Sequence, residues 1–209
     1  MSANPSLIPP GSSALDEETA RAELYGLLSQ LYYAPPGPDV LAALRVAVTE
    51  APAEGGFLQE PWQQLVASAR ALSDADIARE FDRLFGGVGK PEVYLYGSHY
   101  LSGFLNEKPL ARLRADLDRL GLARDEAMPE TEDHIAYLCE VMRYLIAGDD
   151  VAVCNLTSQR EFFSTHVQPW VLRLCESLAT HRSANFYARL AGFTQAFVSV
   201  ETQGFDMLD

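Results

Sequence analysis

The chain has 209 residues, 48% of them hydrophobic, enough to bury one large core or two small ones. A formal net charge of −13 and a pI near 4.7 exclude a free-standing nucleic-acid binder, which needs clustered Lys and Arg, and favour a basic partner. No run approaches the roughly 18 apolar residues of a membrane span, and residues 1–11 hold no Lys, Arg or apolar stretch, so a soluble cytoplasmic protein without a signal peptide is expected.

In chain order, residues 1–12 read as a disordered Pro/Ser-rich segment, 13–200 as the folded domain and 201–209 as a tail. Ser13 is a candidate N-cap with Asp16 three residues on, and Ala20, Leu24, Leu27, Leu28, Leu31 and Tyr32 draw one helical stripe. Pro35-Pro36-Gly37-Pro38 stops it. Asp39 is placed to cap a second helix through Leu41, Leu44 and Val48, ended by Pro52 and Gly55-Gly56. A third carries Trp62, Leu65, Val66, Ala69 and Leu72, and Ser73 or Asp74 starts a fourth with Ile77, Phe81, Leu84 and Phe85.

Gly86-Gly87-Val88-Gly89-Lys90-Pro91 imitates a phosphate loop, but Leu84 stands where the first Gly belongs and Pro91 where the metal-binding hydroxyl belongs. A helix rather than a strand precedes it, so it reads as a helix end followed by a loop. The next stretch gathers Tyr94, Tyr96, Tyr100 and Phe104 around Gly97-Ser98-His99, with no charge between Glu92 and Glu107. It has no period of 2 or 3.6, which predicts an irregular wall. Tyrosines offer rigid apolar surface with a polar tip, so the wall suits either a peptide groove or an aromatic loop closing the core.

Pro109 opens a helix with Leu110, Leu113, Leu117 and Leu120, ended by Gly121, whose outer face mixes Arg112, Arg114, Asp116, Asp118 and Arg119. After a linker, Ile135, Leu138, Cys139, Met142, Leu145 and Ile146 mark another helix, ended by Gly148. Pro129 fits its first turn, and Glu130, Glu132 and Asp133 crowd the end that the helix dipole favours for negative charge. Asp133 and His134 flank the edge of the buried stripe there: either Asp133 caps orphan N–H groups while His134 fills a boundary position, or the spot receives a polar or basic group.

Thr157 or Ser158 is placed to cap a segment carrying Phe162, Phe163 and His166 on one face. Pro169 predicts a break before Trp170, Leu174 and Leu178, and Asn185 starts a last helix through Phe186, Leu190, Phe193 and Phe197. With no strand and no repeat, the fold class is all-α: a single compact helical-bundle-like domain of about nine or ten helices. The three cysteines, Cys139, Cys154 and Cys175, form no C-x-x-C pair. Cys139 and Cys175 lie among apolar neighbours and read as core residues in a reducing compartment.

Three stretches together carry a family resemblance: Tyr96-Gly97-Ser98-His99-Tyr100-Leu101, Glu130-x-x-Asp133-His134, and Gln159-x-x-Phe162-Phe163-x-x-His166-x-x-Trp170. In this order on an all-helical chain they resemble the TorD/DmsD family of redox-enzyme maturation chaperones, over roughly residues 15–200. The resemblance implies a cytoplasmic chaperone for a molybdenum-cofactor oxidoreductase. Such a chaperone binds the twin-arginine signal peptide or the body of the apo-enzyme and delays export until the cofactor is inserted. Many members carry Glu-Ser after the first Tyr of the aromatic stretch; here Gly97-Ser98 stands instead, so no role for that acid carries over. That variant points away from the trimethylamine-oxide and dimethylsulfoxide reductase specialists. GTP binding, proposed for some members, finds no separate support in this sequence.

A twin-arginine signal peptide has a basic head and an apolar helical stretch, so its receptor needs a negative field, carboxylates for guanidinium groups and an apolar groove. The expected client-binding set is Tyr96, Gly97, Ser98, Tyr100, Glu130, Asp133, His134, His166 and Trp170, with Tyr94 as a further groove candidate. Asp133 is expected to pair with an arginine, while His134 and His166 orient the groove wall by hydrogen bonds. No cofactor or metal of the chain's own is expected, and a homodimer is compatible with the reading. Two alternatives stay open. One is a helical dimeric regulatory module without a signal-peptide client; the other is a hydrolase using Asp133 with His134 or His166, for which Ser98 stands in no Gly-x-Ser-x-Gly elbow.

Overall fold

A computed structural model describes residues 12–49, 56, 58–86, 90–125 and 127–207, with side chains from residue 17 onward. Ten α-helices and one π-helical turn are found among them: α1 Ser12–Tyr33, α2 Pro38–Val46, α3 Gln59–Ala71, α4 Asp74–Leu84, α5 Gly97–Ser102, α6 Lys108–Arg119, α7 Ile135–Ala147, α8 Leu156–Phe162, the π turn Phe163–Val167, α9 Gln168–Ala179 and α10 Phe186–Asp206. The protein is all-α, and among the described residues the β pairing amounts to a single antiparallel bridge between Tyr96 and His134. No described helix is long and apolar enough to cross a membrane.

The apolar periodicities become the faces that pack. α1 lies along α7, while α10 packs on α9 and α3. Tyr25, Leu28, Leu31 and Tyr32 of α1 are buried with Ile135, Leu138, Cys139, Met142 and Leu145 of α7. Each such side chain contributes about 1.5–3 kcal/mol on burial, so the α1/α7 seam is a main source of stability. Two polar links tie α1 to α10 as well. Tyr32 Oη lies 3.0 Å from Thr194 Oγ1 of α10, and Arg21 meets both carboxylate oxygens of the buried Glu201 at 2.8 Å. Tyr25 Oη donates to the same Glu201 at 3.0 Å.

Several helix ends differ from the sequence-based expectation, each for a local reason. Ser73 does cap α4, accepting from Asp76 N–H at 3.1 Å, and Gly121 follows α6 with φ +69°. α2 instead starts at Pro38 behind Gly37, leaving Asp39 inside the first turn. α8 is capped by Asn155, which accepts from Ser158 N–H at 3.0 Å, rather than by Thr157 or Ser158. α7 starts only at Ile135, so Pro129 lies outside the helix and His134 is the N-cap. The aromatic stretch forms a short helix, α5, where an irregular wall was expected; Gly103 at φ +82° ends it in the left-handed conformation.

Pro169 brings no break. A proline cannot donate to the residue four before it, and the π turn directly upstream absorbs that missing bond, so α8, the π turn and α9 run on without interruption. The last helix continues to Asp206 because Glu201 and Phe205 are buried, so most of the expected 201–209 tail is helical. The imitation phosphate loop and the stop at Pro52 and Gly55 fall largely outside the described residues, as does the N-terminal segment 1–11.

Candidate functional site

Two motifs far apart in sequence meet through main-chain bonds. Gly97 N–H donates to Asp133 O and Ile135 N–H to Leu95 O, both at 2.9 Å. The start of α5 is thereby tied to the start of α7, and the two helices share a capping arrangement. Asp133 Oδ2 accepts from Ser98 N–H at 2.8 Å, satisfying an orphan donor that the α5 cap residue, Tyr96, cannot reach. Asp133 Oδ1 accepts from Thr131 Oγ1 at 2.7 Å. Asp133 is only 3% exposed, so its carboxylate is turned inward and both oxygens are occupied. Of the two roles the sequence left open for Asp133, capping orphan N–H groups or receiving a basic group, the carboxylate takes the first, and the N–H it caps belongs to α5.

His134 performs the matching task for α7. Its Nδ1 accepts from Ala136 N–H at 3.2 Å, which leaves the ring proton on Nε2. Burial lowers its pKa to about 4, against the opposing pull of Glu130 and Asp133, so the ring is neutral at pH 7. Aromatic rings enclose it. Tyr96 stands edge-on with centroids 5.1 Å apart, Tyr137 lies 5.9 Å away, and Tyr33 of α1 lies 6.5 Å from His134 and 5.9 Å from Tyr137.

The acids of this motif have different fates. Glu132 is neutralised by Arg114 at 2.8 Å and by Arg124 at 3.7 Å. Glu130 accepts a hydrogen bond from Tyr96 Oη, and no described Lys or Arg forms a salt bridge with it. Burial and then Glu130 push the Tyr96 pKa well up, so the phenol stays a neutral donor. A half-buried carboxylate beside Tyr96, Tyr137 and Tyr33 is a suitable seat for a guanidinium, combining a charge partner with ring faces.

On the far side of α5, Tyr100 stacks on the buried Trp170 with centroids 5.5 Å apart and planes 20° apart. Trp170 Nε1–H donates to His166 O at 2.7 Å. A Cβ on Gly97 would lie 3.0 Å from Trp170 Nε1, so the absence of a side chain at residue 97 lets α5 rest on the indole. His166 Nε2 lies 2.7 Å from Asp116 Oδ2, and Asp116 also binds Arg119. Burial, then Arg112 and Arg119, lower the His166 pKa to about 4, so at pH 7 a neutral ring donates Nε2–H to the Asp116 carboxylate.

All nine residues singled out in the sequence thus gather around α5. Gly97, Ser98, Asp133, His166 and Trp170 are buried and pack around a pocket of only ≈ 10 Å³, room for about one water at most. This interior is packed scaffold, and what faces outward is a different set: half-buried Tyr96, Glu130 and Tyr100, with Leu101 and the 70%-exposed Phe104 beyond them. Tyr94 stacks on His99 with ring centroids 4.1 Å apart, and His99 in turn meets Tyr100 edge-on at 5.1 Å. Ser98 Oγ is buried without a hydrogen-bond partner, and Asp133 takes the Ser98 main-chain N–H, an arrangement that builds no serine nucleophile. Among the described residues no group of His, Cys, Asp and Glu is arranged to hold a metal.

Sequence reasoning missed Tyr33, Tyr137, Thr131 and the Asp116 partner of His166. Tyr137 stands three residues after His134, so helical spacing could have found it. Tyr33 comes from α1 and carries no local signal.

Comparison with known proteins gives the same family as the motifs. The family profile described as nitrate reductase delta subunit matches residues 53–176. The chain is 24% identical over 204 residues to the chaperone protein TorD of Vibrio cholerae serotype O1, covering 90% of this chain and 93% of the relative. It is 26% identical over 207 residues to the chaperone protein TorD of Shewanella loihica, covering 88% and 92%. The matched segment contains all nine residues of the site.

Proposed function

The chain belongs to the family of the nitrate reductase delta subunit and the TorD chaperones, and from that premise we propose that it is a cytoplasmic, non-enzymatic maturation chaperone for a molybdenum-cofactor oxidoreductase. Its client contact is the outward face of the α5/α7 junction. There the basic head of a twin-arginine signal peptide meets Glu130 and the tyrosines, and the apolar stretch of the peptide lies along Tyr100, Leu101 and Phe104. Asp133, His134, His166, Trp170, Gly97 and Ser98 act beneath this face as positioning residues. By occupying the signal peptide the protein delays export until cofactor insertion is complete.

The observation that carries this reading is Glu130. It is a carboxylate without a described salt-bridge partner, held by Tyr96 at the meeting point of the two motifs, in a protein of net charge −13. Calorimetric titration with a panel of synthetic twin-arginine signal peptides at two salt concentrations tests it. Micromolar binding to one peptide is expected, weakened by salt and by Glu130→Gln. Binding that ignores both salt and Glu130→Gln would remove this face as the contact. Uniform absence of binding would move the contact to the mature enzyme.

A further inference from the structure

The outer face of α6 is a basic surface on an acidic protein. The helix carries Lys108, Arg112, Arg114 and Arg119 against Asp116 and Asp118, and it is the only described helix whose charged side chains sum to a positive value. Between its second half and the α8/π-turn segment opens a pocket of ≈ 330 Å³, with polar walls supplied by Arg112, Asp116, Arg119, Ser158, Glu161 and Thr165. All of its lining residues lie among the described ones, and it shares only His166 with the α5/α7 junction.

The polar groups of this pocket are not equally committed. Asp116 is fully engaged: it binds Arg119 and accepts from the His166 ring at 2.7 Å. Arg112 forms no salt bridge with a described Asp or Glu, and its charge reaches far enough into the pocket to act on the His166 ring together with that of Arg119. Among the described residues none hydrogen-bonds the half-buried hydroxyls of Ser158 and Thr165. Against these donors stands one exposed carboxylate, Glu161, which no described Lys or Arg pairs. Guanidinium N–H groups and hydroxyls together match the lone pairs of an oxyanion. The rings in the wall, Phe162 and His166, are only 3% and 7% exposed, so the pocket presents donors to a charged group and no stacking face to a flat one. Its volume lies at the small end of ligand sites. The net charge of −13 opposes any anion at long range, but screening over about 8–10 Å at physiological salt leaves the choice to the local groups.

We infer that the pocket between α6 and the π turn binds a small oxyanion, a phosphate or carboxylate group, held by Arg112 and Arg119 with the Ser158 and Thr165 hydroxyls donating to its remaining oxygens. Glu161 works against the anion and limits its affinity. The site is independent of the signal-peptide reading: its ligand has the opposite charge, and none of the outward residues of the α5/α7 face takes part.

The probes are inorganic phosphate and succinate, each titrated into the full chain at pH 7 with chloride holding the ionic strength constant. Amide chemical-shift mapping gives both location and affinity. Saturable shifts are expected in α6, α8 and the π turn, with a Kd of about 1 mM or tighter. Phosphate binding the more tightly assigns the pocket to a tetrahedral group, and succinate to a planar carboxylate. Arg112→Gln weakens the preferred anion about ten-fold or more, the loss of a charge-assisted donor. Glu161→Gln acts in the opposite direction and tightens it by roughly two- to five-fold, the range of an exposed charge pair. Both side chains are exposed and hold no described salt bridge, so the variants fold, and circular dichroism checks this. Glu130→Gln leaves anion binding unchanged, which separates failure here from failure of the signal-peptide reading. Shifts that do not saturate, that chloride alone reproduces or that fall on other helices overturn the inference. So does an affinity that ignores Arg112→Gln or falls in Glu161→Gln.

Discussion

Asp133 separates a positioning role from a direct grip on the client. In Asp133→Ala, Ser98 N–H and the Thr131 hydroxyl both lose their acceptor. Ser98 is 1% exposed, so its N–H finds no water, whereas the half-buried Thr131 turns to solvent. A buried unsatisfied donor costs about 1–3 kcal/mol and a lost ordinary hydrogen bond about 0.5–1.5, which together give a loss of about 2–4 kcal/mol. That is a large part of the roughly 5–15 kcal/mol of a typical domain, yet leaves the protein folded. Asp133→Asn keeps an oxygen for Ser98 and offers its amide to Thr131 Oγ1, so only the charge-assisted share is lost, about 1 kcal/mol. Urea unfolding of the three proteins measures these differences, and peptide titration of the same samples measures affinity. A positioning residue predicts that affinity falls in the order of lost stability, Ala more than Asn. Equal loss of affinity in both variants, with Asp133→Ala as stable as the wild type, would refute the inward role and restore Asp133 as a direct partner of arginine.

Three further outcomes follow from named contacts. Glu80 of α4 accepts from the N–H groups of Asn185, Phe186 and Tyr187 at 2.7, 3.1 and 2.9 Å, supplying the cap that Asn185 lacks. Glu80→Ala should lower stability by about 2–4 kcal/mol in urea titration, and a loss under about 0.5 kcal/mol would show that water replaces the carboxylate. Gly97→Ala should cost about 1–3 kcal/mol and shift the near-ultraviolet Trp170 signal, because a Cβ 3.0 Å from a buried, hydrogen-bonded indole has little room; an unchanged melting curve would mean that α5 moves freely. His134 holds its proton only below about pH 4 in the folded state, whereas the unfolded chain binds one near the ordinary 6.5. The unfolded state therefore binds more protons between those values, and stability falls as pH drops through that window, by about 3 kcal/mol at most. Unfolding at pH 7 and pH 4.5 should show a smaller pH effect for His134→Gln than for the wild type, and parallel curves would refute the assignment.

The sequence by itself determined the all-α class and the buried stripes. The apolar spacings of α1, α6, α7 and α10 are local repeats of 3.6 residues, and a helix with one apolar face must bury it. It also determined the stops at Gly121 and Gly148 and narrowed the α4 cap to Ser73 or Asp74, since these signals act within one turn of a helix end. The motif residues were legible as a group, because family resemblance marks positions whatever they contact. Their division of labour was not. Whether Asp133 faces a client or the Ser98 amide depends on where α5 lies, and α5 is placed by the Trp170 indole and the Leu95–Gly97 pairing, more than thirty residues from either partner. The capping of α10 by Glu80, the joining of Tyr33 to Tyr137 and the seam between Arg21 and Glu201 likewise connect residues that no local period relates. Tertiary packing decided these, because a hydrogen-bonding group in a low-dielectric interior takes whichever partner the packed helices bring within reach, and sequence distance does not enter that choice.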